Sequence, residues 1–345
     1  MRPEHALLLE DLDAIVRDEA IPWERFRGKT ALITGVTGLL GGLLCQILLR
    51  TSELRDLELT VLAQARNRER AEEIFGRECH GLKYVMGDIR EPLTVPGAVH
   101  FCLHAAAPTA SRSFVEQPVE TIDAVYQGTA NMLALARQKN VESMLYISSM
   151  EVYGTLDHVE AREDVAGALD PLVARSSYPQ AKRLAETLCA AYVKEYDLPV
   201  KIARPTLAFG PGVRADDQRV FMQFARAAIA RGEIRLATSG ATERDYIYTA
   251  DACRLLLAIL LKGENGQAYN VANPDTYMSI LDLARTFQKA RPGTTVKVNT
   301  GNAESYAPET HIRLNVERAR KLDEFEMLGM GDMVERLLGW LKTKG

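Results

Sequence analysis

The sequence predicts a doubly wound α/β fold: a parallel sheet covered by helices on both faces, with a smaller C-terminal lobe. Three observations carry the prediction. The first is a strand, a glycine-rich turn and a helix in succession over residues 29–49. The second is the alternation of short apolar runs with longer helical stretches up to about residue 205, the signature of parallel strands joined by crossover helices. The third is that Gly35, Asp88, Ala105, Ser149 and Pro205 all fall at the carboxyl ends of predicted strands, where ligands collect in such sheets.

Ala31, Leu32 and Ile33 form an apolar run suited to a buried parallel strand. Gly35, Gly38 and Gly41 follow at a spacing of three, and Leu43 to Leu49 read as a helix. Gly35 permits the tight turn, Gly38 lets the backbone approach a pyrophosphate, and Gly41 lets helix and strand pack closely. The backbone of Gly35, Thr37, Gly38, Leu39, Leu40 and Gly41 is therefore the candidate phosphate cradle, its free N–H groups facing the anion. Leu57–Leu62 reads as the second strand. It runs into residues 63–67 without the carboxylate that commonly holds an adenosine ribose; Arg66 and Arg68 stand there instead. A guanidinium at that point suits a 2′-phosphate, so NADP is kept beside NAD as the cofactor.

Residues 84–89 read as the third strand, placing Asp88 and Ile89 where a carboxylate can accept from an adenine amino group. Residues 99–107 read as the fourth, ending on Ala105, Ala106 and Ala107, small enough to leave room for a flat ring or a ribose. Val119–Lys139 is a long amphipathic helix. Residues 143–149 are the fifth strand, finishing on two hydroxyls, and Leu184–Tyr196 is a helix. Val200–Pro205 is the sixth strand. Helices follow at Val220–Arg231 and Ile280–Lys289, with a short strand at Tyr269–Asn273. Residues 1–27 read as a mostly acidic helix ending near Ile21 and Pro22, pinned by Trp23 and Phe26, with a packing or oligomer role.

The totals bound the class. The chain has 345 residues, 47% hydrophobic and 26% charged, with a formal net charge of −4. That balance gives no expectation of nucleic-acid or anionic-membrane partners. The longest apolar run, Leu255–Leu261, is too short to span a bilayer, and no secretion signal is expected from the acid-bearing N-terminus. Five cysteines without C-x-x-C pairing read as buried thiols of a reducing cytoplasm, not as a disulfide or zinc framework, and no metal site is expected.

The chemistry gathers in the middle of the chain. Tyr178 and Lys182 lie four apart and share one helix face, provided Pro179 sits in the first turn. A free phenol titrates near pH ~10. A nearby ammonium and a positive nicotinamide stabilise the phenolate, which can then take a proton from a sugar hydroxyl while hydride leaves the same carbon. Ser149 can hold that hydroxyl in line. Arg219 and Arg244 are fork donors suited to a diphosphate.

With these residues in view, the chain resembles an extended short-chain dehydrogenase/reductase of the sugar-nucleotide epimerase, dehydratase and decarboxylase group. The T-G-x-x-G-x-x-G turn, the small residues after His104, the segment Ser148–Gly154 and the Tyr178…Lys182 pair recur in that order over residues ~29–290. Residues 106–110, 174–183, 217–220 and 242–246 look closest to UDP-glucuronate decarboxylases. The resemblance implies a Rossmann-type fold and a nucleotide-sugar substrate oxidised at C4. It implies Ser149, Tyr178 and Lys182 as the catalytic triad and Glu151 as the decarboxylase glutamate near the sugar. It also implies Arg244 meeting the substrate's phosphates or carboxylate, and Arg219 as a nucleotide-binding arginine. A homodimer is implied too, with Val119–Lys139 and Leu184–Tyr196 as candidate surfaces. Two positions depart from the pattern. Met150 stands where 4,6-dehydratases carry an aspartic acid and decarboxylases usually a serine. Leu207 stands where an asparagine usually touches the substrate phosphate. The expected organisation is an N-terminal extension over 1–28, a cofactor-binding domain over 29–209 plus 237–264, and a substrate lobe over 210–236 plus 265–345. A 4-epimerase, a 4,6-dehydratase-like enzyme and an NADPH-dependent keto-sugar reductase remain as alternatives to decarboxylation.

Overall fold

The computed structural model describes residues 5–157, 160–299 and 309–342. In chain order, the first half runs α1 (Ala6–Val16), β1 (Thr30–Thr34), α2 (Leu39–Arg55), β2 (Thr60–Ala65), α3 (Arg68–Phe75), β3 (Leu82–Met86), β4 (Phe101–His104), α4 (Ser111–Glu116), α5 (Pro118–Lys139), β5 (Ser143–Ile147), β6 (Glu160–Ala161), α6 (Ser177–Tyr196) and β7 (Val200–Pro205). The second half runs β8 (Leu207–Phe209), α7 (Val220–Ile229), β9 (Glu233–Leu236), β10 (Glu243–Tyr248), α8 (Thr249–Lys262), β11 (Ala268–Val271), β12 (Asn273–Ser279), α9 (Ile280–Ala290), β13 (Thr295–Val298), β14 (His311–Leu314), α10 (Glu317–Arg320) and α11 (Met330–Lys342).

Seven strands pair in the order β11-β7-β5-β4-β1-β2-β3, every pair parallel. Parallel strands covered on both faces should be apolar along their length, and β1, β4 and β5 are buried throughout except for half-buried Thr30. The chain order reverses between β1 and β4, so a crevice opens beyond their carboxyl ends. A second sheet, β12-β10-β14-β6 with β8 alongside β10, stands next to it.

Element boundaries differ from the sequence reading where backbone geometry overrides hydropathy. Leu57 and Leu59 are buried, but Asp56 and Glu58 take positive φ of 51° and 52°, so the second strand starts only at Thr60. The third strand stops at Met86, before Gly87 (φ 159°), and leaves Asp88 in a loop. The apolar run after β4 continues, yet its ladder ends at His104. Helix α6 begins at Ser177, seven residues earlier than read, because Pro179 is accommodated in its first turn. The strand read over Tyr269–Asn273 divides at Ala272 between β11 and β12.

The N-terminal helix ends at Val16, short of Ile21 and Pro22. Its acids conceal an apolar face of Leu8, Leu12, Ile15 and Val16. Trp23 and Phe26 are buried, and Phe26 packs its ring 4.7 Å from that of Phe101. Four cysteines are buried as read; Cys79 is exposed, because it lies in the connection before β3 and not in a core strand.

Candidate active site

The turn after β1 leaves no room for side chains at Gly35 and Gly41. Gly35 has φ 69°, a conformation that disfavours side chains, and a Cβ there would meet Ala106 Cα at 2.8 Å. A Cβ on Gly41 would lie 2.5 Å from the Gly35 carbonyl oxygen, while one on Gly38 would meet only that oxygen, at 3.2 Å. No side chain caps α2, and no acid stands in its first turn. Its leading N–H groups, around Thr37, Leu39 and Leu40, thus form a positive helix end suited to an anion. The sequence reading missed Gln64, a buried polar residue within an apolar strand. Its Oε1 accepts from Gly35 N at 3.1 Å and its Nε2 donates to the Gly87 carbonyl at 2.7 Å, tying the glycine turn to the loop after β3.

Asp88 lies beside that loop. Both carboxylate oxygens accept from Arg90, at 3.1 Å and 2.9 Å from its guanidinium, and these hydrogen bonds hold the carboxyl down at about 2. Ile89 is buried against Gly128 of α5. Arg66 is exposed at the end of β2, and its charge is felt at Asp88. Ala105, Ala106 and Ala107 are half-buried beyond β4, and Ala106 N donates to Thr34 Oγ1 at 3.2 Å. Thr34 also lies 2.8 Å from His104 Nδ1, and Thr129 of α5 lies 3.3 Å from Nε2. Burial, with the nearby Lys182 charge, pushes the His104 imidazole down to about 3, so it is neutral. Pro205 closes β7 opposite Val271.

Ser149, Glu151, Tyr178 and Lys182 come together beyond β5. Ser149 caps a short 3-10 turn, Met150–Tyr153, with its Oγ accepting from Glu151 N at 3.2 Å. Tyr178, in the first turn of α6, is 6% exposed, and burial pushes its titration well up, an effect that the neighbouring Ser149 hydroxyl partly offsets. Lys182, one turn on, donates to the Ile147 carbonyl at 2.7 Å and lies 5.8 Å from the Tyr178 ring centroid. Burial brings this ammonium down to about 7. Arg183, which the sequence reading passed over, donates to the carbonyls of Val152 at 2.6 Å and Gly167 at 2.7 Å. It therefore pins the segment carrying Glu151 to α6.

Met150 turns inward, 8% exposed, with Thr206 Oγ1 3.2 Å from its sulfur. The same hydroxyl donates to the Asp245 carbonyl at 2.6 Å. This bridge sets the Glu151 turn beside β10, which carries Arg244. Arg244 Nε is buried and has no hydrogen-bond partner among the described residues, leaving a donor for an incoming anion. Arg219 is not joined to this group: its guanidinium is paired with Asp217 at 2.6 Å. Leu207 lies half-buried in β8, paired with Tyr246. Among the described residues no group of three or more His, Cys, Asp or Glu could hold a metal ion, and no helix is long and apolar enough to cross a membrane.

Comparison with known proteins agrees with this geometry. Over 262 residues the chain is 30% identical to UDP-glucuronic acid decarboxylase 1 of Xenopus tropicalis, a match covering 76% of this chain and 60% of that protein. The fold superposes on a Bacillus cereus UDP-glucuronic acid 4-epimerase solved with UDP-glucuronic acid and NAD (TM-score 0.75, 21% identity, 92% of this chain and 100% of the other). It also superposes on an NAD complex of dTDP-glucose 4,6-dehydratase from Bacillus anthracis (TM-score 0.73, 17% identity, 91% and 97%). The model of the NAD dependent epimerase/dehydratase family matches residues 31–272, more than half of the chain, and the chain belongs to that family.

Proposed function

We propose that the protein oxidises C4 of a nucleotide sugar carrying a C6 carboxylate, and that loss of carbon dioxide follows. The observation that carries the reading is the juxtaposition of the Ser149, Tyr178 and Lys182 set with Glu151 on one side and, beyond the Thr206 bridge, Arg244, whose Nε has no partner among the described residues. Residues 35–41 would hold the pyrophosphate of NAD, Asp88 and Ile89 the adenosine end, and Ala105–Ala107 with Pro205 the space beside the ribose and ring. NAD bound there supplies the acceptor for the hydride leaving C4.

The chain's own groups do the rest. Ser149 orients the C4 hydroxyl. Tyr178 removes its proton, and the Lys182 ammonium stabilises the phenolate that does so. Once C4 is a ketone, the carboxylate at C6 is β to it. The C5–C6 bond can break, its electron pair entering an enolate as carbon dioxide departs, and the enolate takes up a proton at C5. Glu151 and Arg244 position that carboxylate; Arg219, released from Asp217, is a further candidate for the nucleotide phosphates. Met150, facing Thr206 and lacking a proton to donate, offers no acid for expelling a C6 hydroxyl.

The test is incubation with NAD and UDP-glucuronate, following gas release. The reading expects carbon dioxide from the wild type and none from Glu151→Ala. Clean inversion at C4 without gas would instead establish an epimerase. We also propose a homodimer. Val119, Ile122 and Tyr126 recur every three to four residues along α5 and are 64%, 40% and 39% exposed, with exposed Leu184 on neighbouring α6. A stripe of that kind suits a second copy of itself.

A further inference from the structure

Arg175, in the short turn Ala174–Ser176 just before α6, has no role in the chemistry above. Its Nη1 lies 2.9 Å from Glu151 Oε2, with each side chain about one third exposed (32% and 33%). The same guanidinium lies over the Phe114 ring, 4.9 Å from its centroid. Phe114 in turn stacks on Tyr178 with centroids 4.2 Å apart and planes within 4°. Ser177 Oγ donates to the Phe114 carbonyl at 2.9 Å, so α4 is fastened to the start of α6. The contacts form a chain: Ser149 to the Glu151 backbone, the Glu151 carboxylate to Arg175, and Arg175 through Phe114 to Tyr178.

We propose that Arg175 is a positioning residue: clamped between the Phe114 ring and the Glu151 carboxylate, it fixes that carboxylate beside Tyr178 and cancels its charge at the phenol. A carboxylate next to a tyrosine that must ionise works against that ionisation. The charged and titratable groups facing Tyr178 are Glu151 and Arg175 from the two short turns, Lys182 from its own helix and Tyr146 from β5. After burial, Glu151 pushes the phenol up and Arg175 pulls it down. Both therefore act on one atom with opposite sign, and the ion pair keeps them together. The cation also sits on the π face of Phe114, which restrains it without removing its charge.

The inference rests on Tyr178 acting as the base of the proposed reaction, but its test needs no substrate. Ultraviolet difference titration of the NAD-loaded protein, each variant measured against the same variant carrying Tyr178→Phe, reads the Tyr178 phenolate alone. Arg175→Gln should raise the midpoint by about one pH unit, roughly a tenfold loss of ionised phenol at a fixed pH below it. Arg175→Lys should restore the midpoint, and Arg175→Gln/Glu151→Gln should bring it back near the wild-type value. Glu151→Gln alone should lower it, which keeps the test open if Arg175→Gln fails to fold. An unmoved midpoint in Arg175→Gln, or in Glu151→Gln, overturns the proposal. So does a double variant displaced as far as Arg175→Gln, since Arg175 would then not be acting against Glu151. A purely structural arginine would lower stability without moving the phenol. A negative gas assay would count against decarboxylation and leave these titrations standing.

Discussion

Lys182 is held in a place that suits neither a solvated ammonium nor an inert side chain. Burial opposes its charge, while Glu186 on the next turn favours it, and the balance brings it down from 10.5 to about 7. Between those values the unfolded chain binds the proton that the folded chain gives up. This group therefore favours folding more strongly as the pH rises from about 7 towards 10.5. Urea unfolding of Lys182→Met should show a shallower gain in stability across that window than the wild type; equal slopes would contradict the assignment. The Tyr178…Lys182 pair was legible in the sequence because four residues make one turn. The buried histidine cluster was not: His104, Thr34 and Thr129 meet only when β1, β4 and α5 are assembled, and Arg183 is identifiable as a clamp only once the carbonyls it reaches are in place.

At the scale of elements, the union of β1 with α2 depends on the missing side chain of Gly41. A methyl at residue 41 would drive into the Gly35 carbonyl oxygen, and backbone cannot step aside as a flexible side chain can. Gly41→Ala should cost about 1–3 kcal/mol and weaken NAD binding, read together by thermal melting and calorimetry. Gly38→Ala, whose added methyl has one 3.2 Å neighbour, should melt closer to the wild type while still obstructing a pyrophosphate. The glycine spacing made this cradle readable. Strand ends were less so, because hydropathy continues past the last ladder bond at His104 and starts at Leu57, between the positive-φ residues Asp56 and Glu58.

The N-terminal helix shows the same limit. Asp11 looks like one more acid on a charged surface, but it is buried and accepts from Tyr248 at 2.5 Å and from Arg336 at 2.6 Å. Helices α1 and α11 and the end of β10 thus share one buried carboxylate, which desolvation pushes up. Arg336→Met would leave that charge half-compensated and should destabilise by about 2–3 kcal/mol in urea. Adding Asp11→Asn should recover much of the loss; no recovery would show that the arginine acts mainly by packing.

Across the whole molecule, the doubly wound parallel sheet was legible because strand-to-helix alternation dictates parallel crossovers, whereas the switch between β1 and β4 that places the crevice emerges only from the assembled strand order. The second sheet was harder to read: its strands come from distant parts of the chain, and two of them, β6 and β8, have only two and three residues. The proposed dimer belongs to this scale. Sedimentation or size-exclusion should report two chains, and Ile122→Glu should yield monomers with the cofactor site intact; a monomeric wild type would contradict it.

The central claim is that Tyr178 faces a sugar carbinol whose oxidation at C4 releases the C6 carboxylate. It is tested most directly by mass spectrometry of products from UDP-glucuronate carrying heavy carbon at C6 and deuterium at C4, incubated with NAD and either wild type or Tyr178→Phe. The account predicts labelled carbon dioxide and slowed turnover of the deuterated sugar with the wild type, and neither product nor gas with the variant. Recovery of both isotopes in unchanged sugar from the wild type, or undiminished gas from the variant, would contradict it.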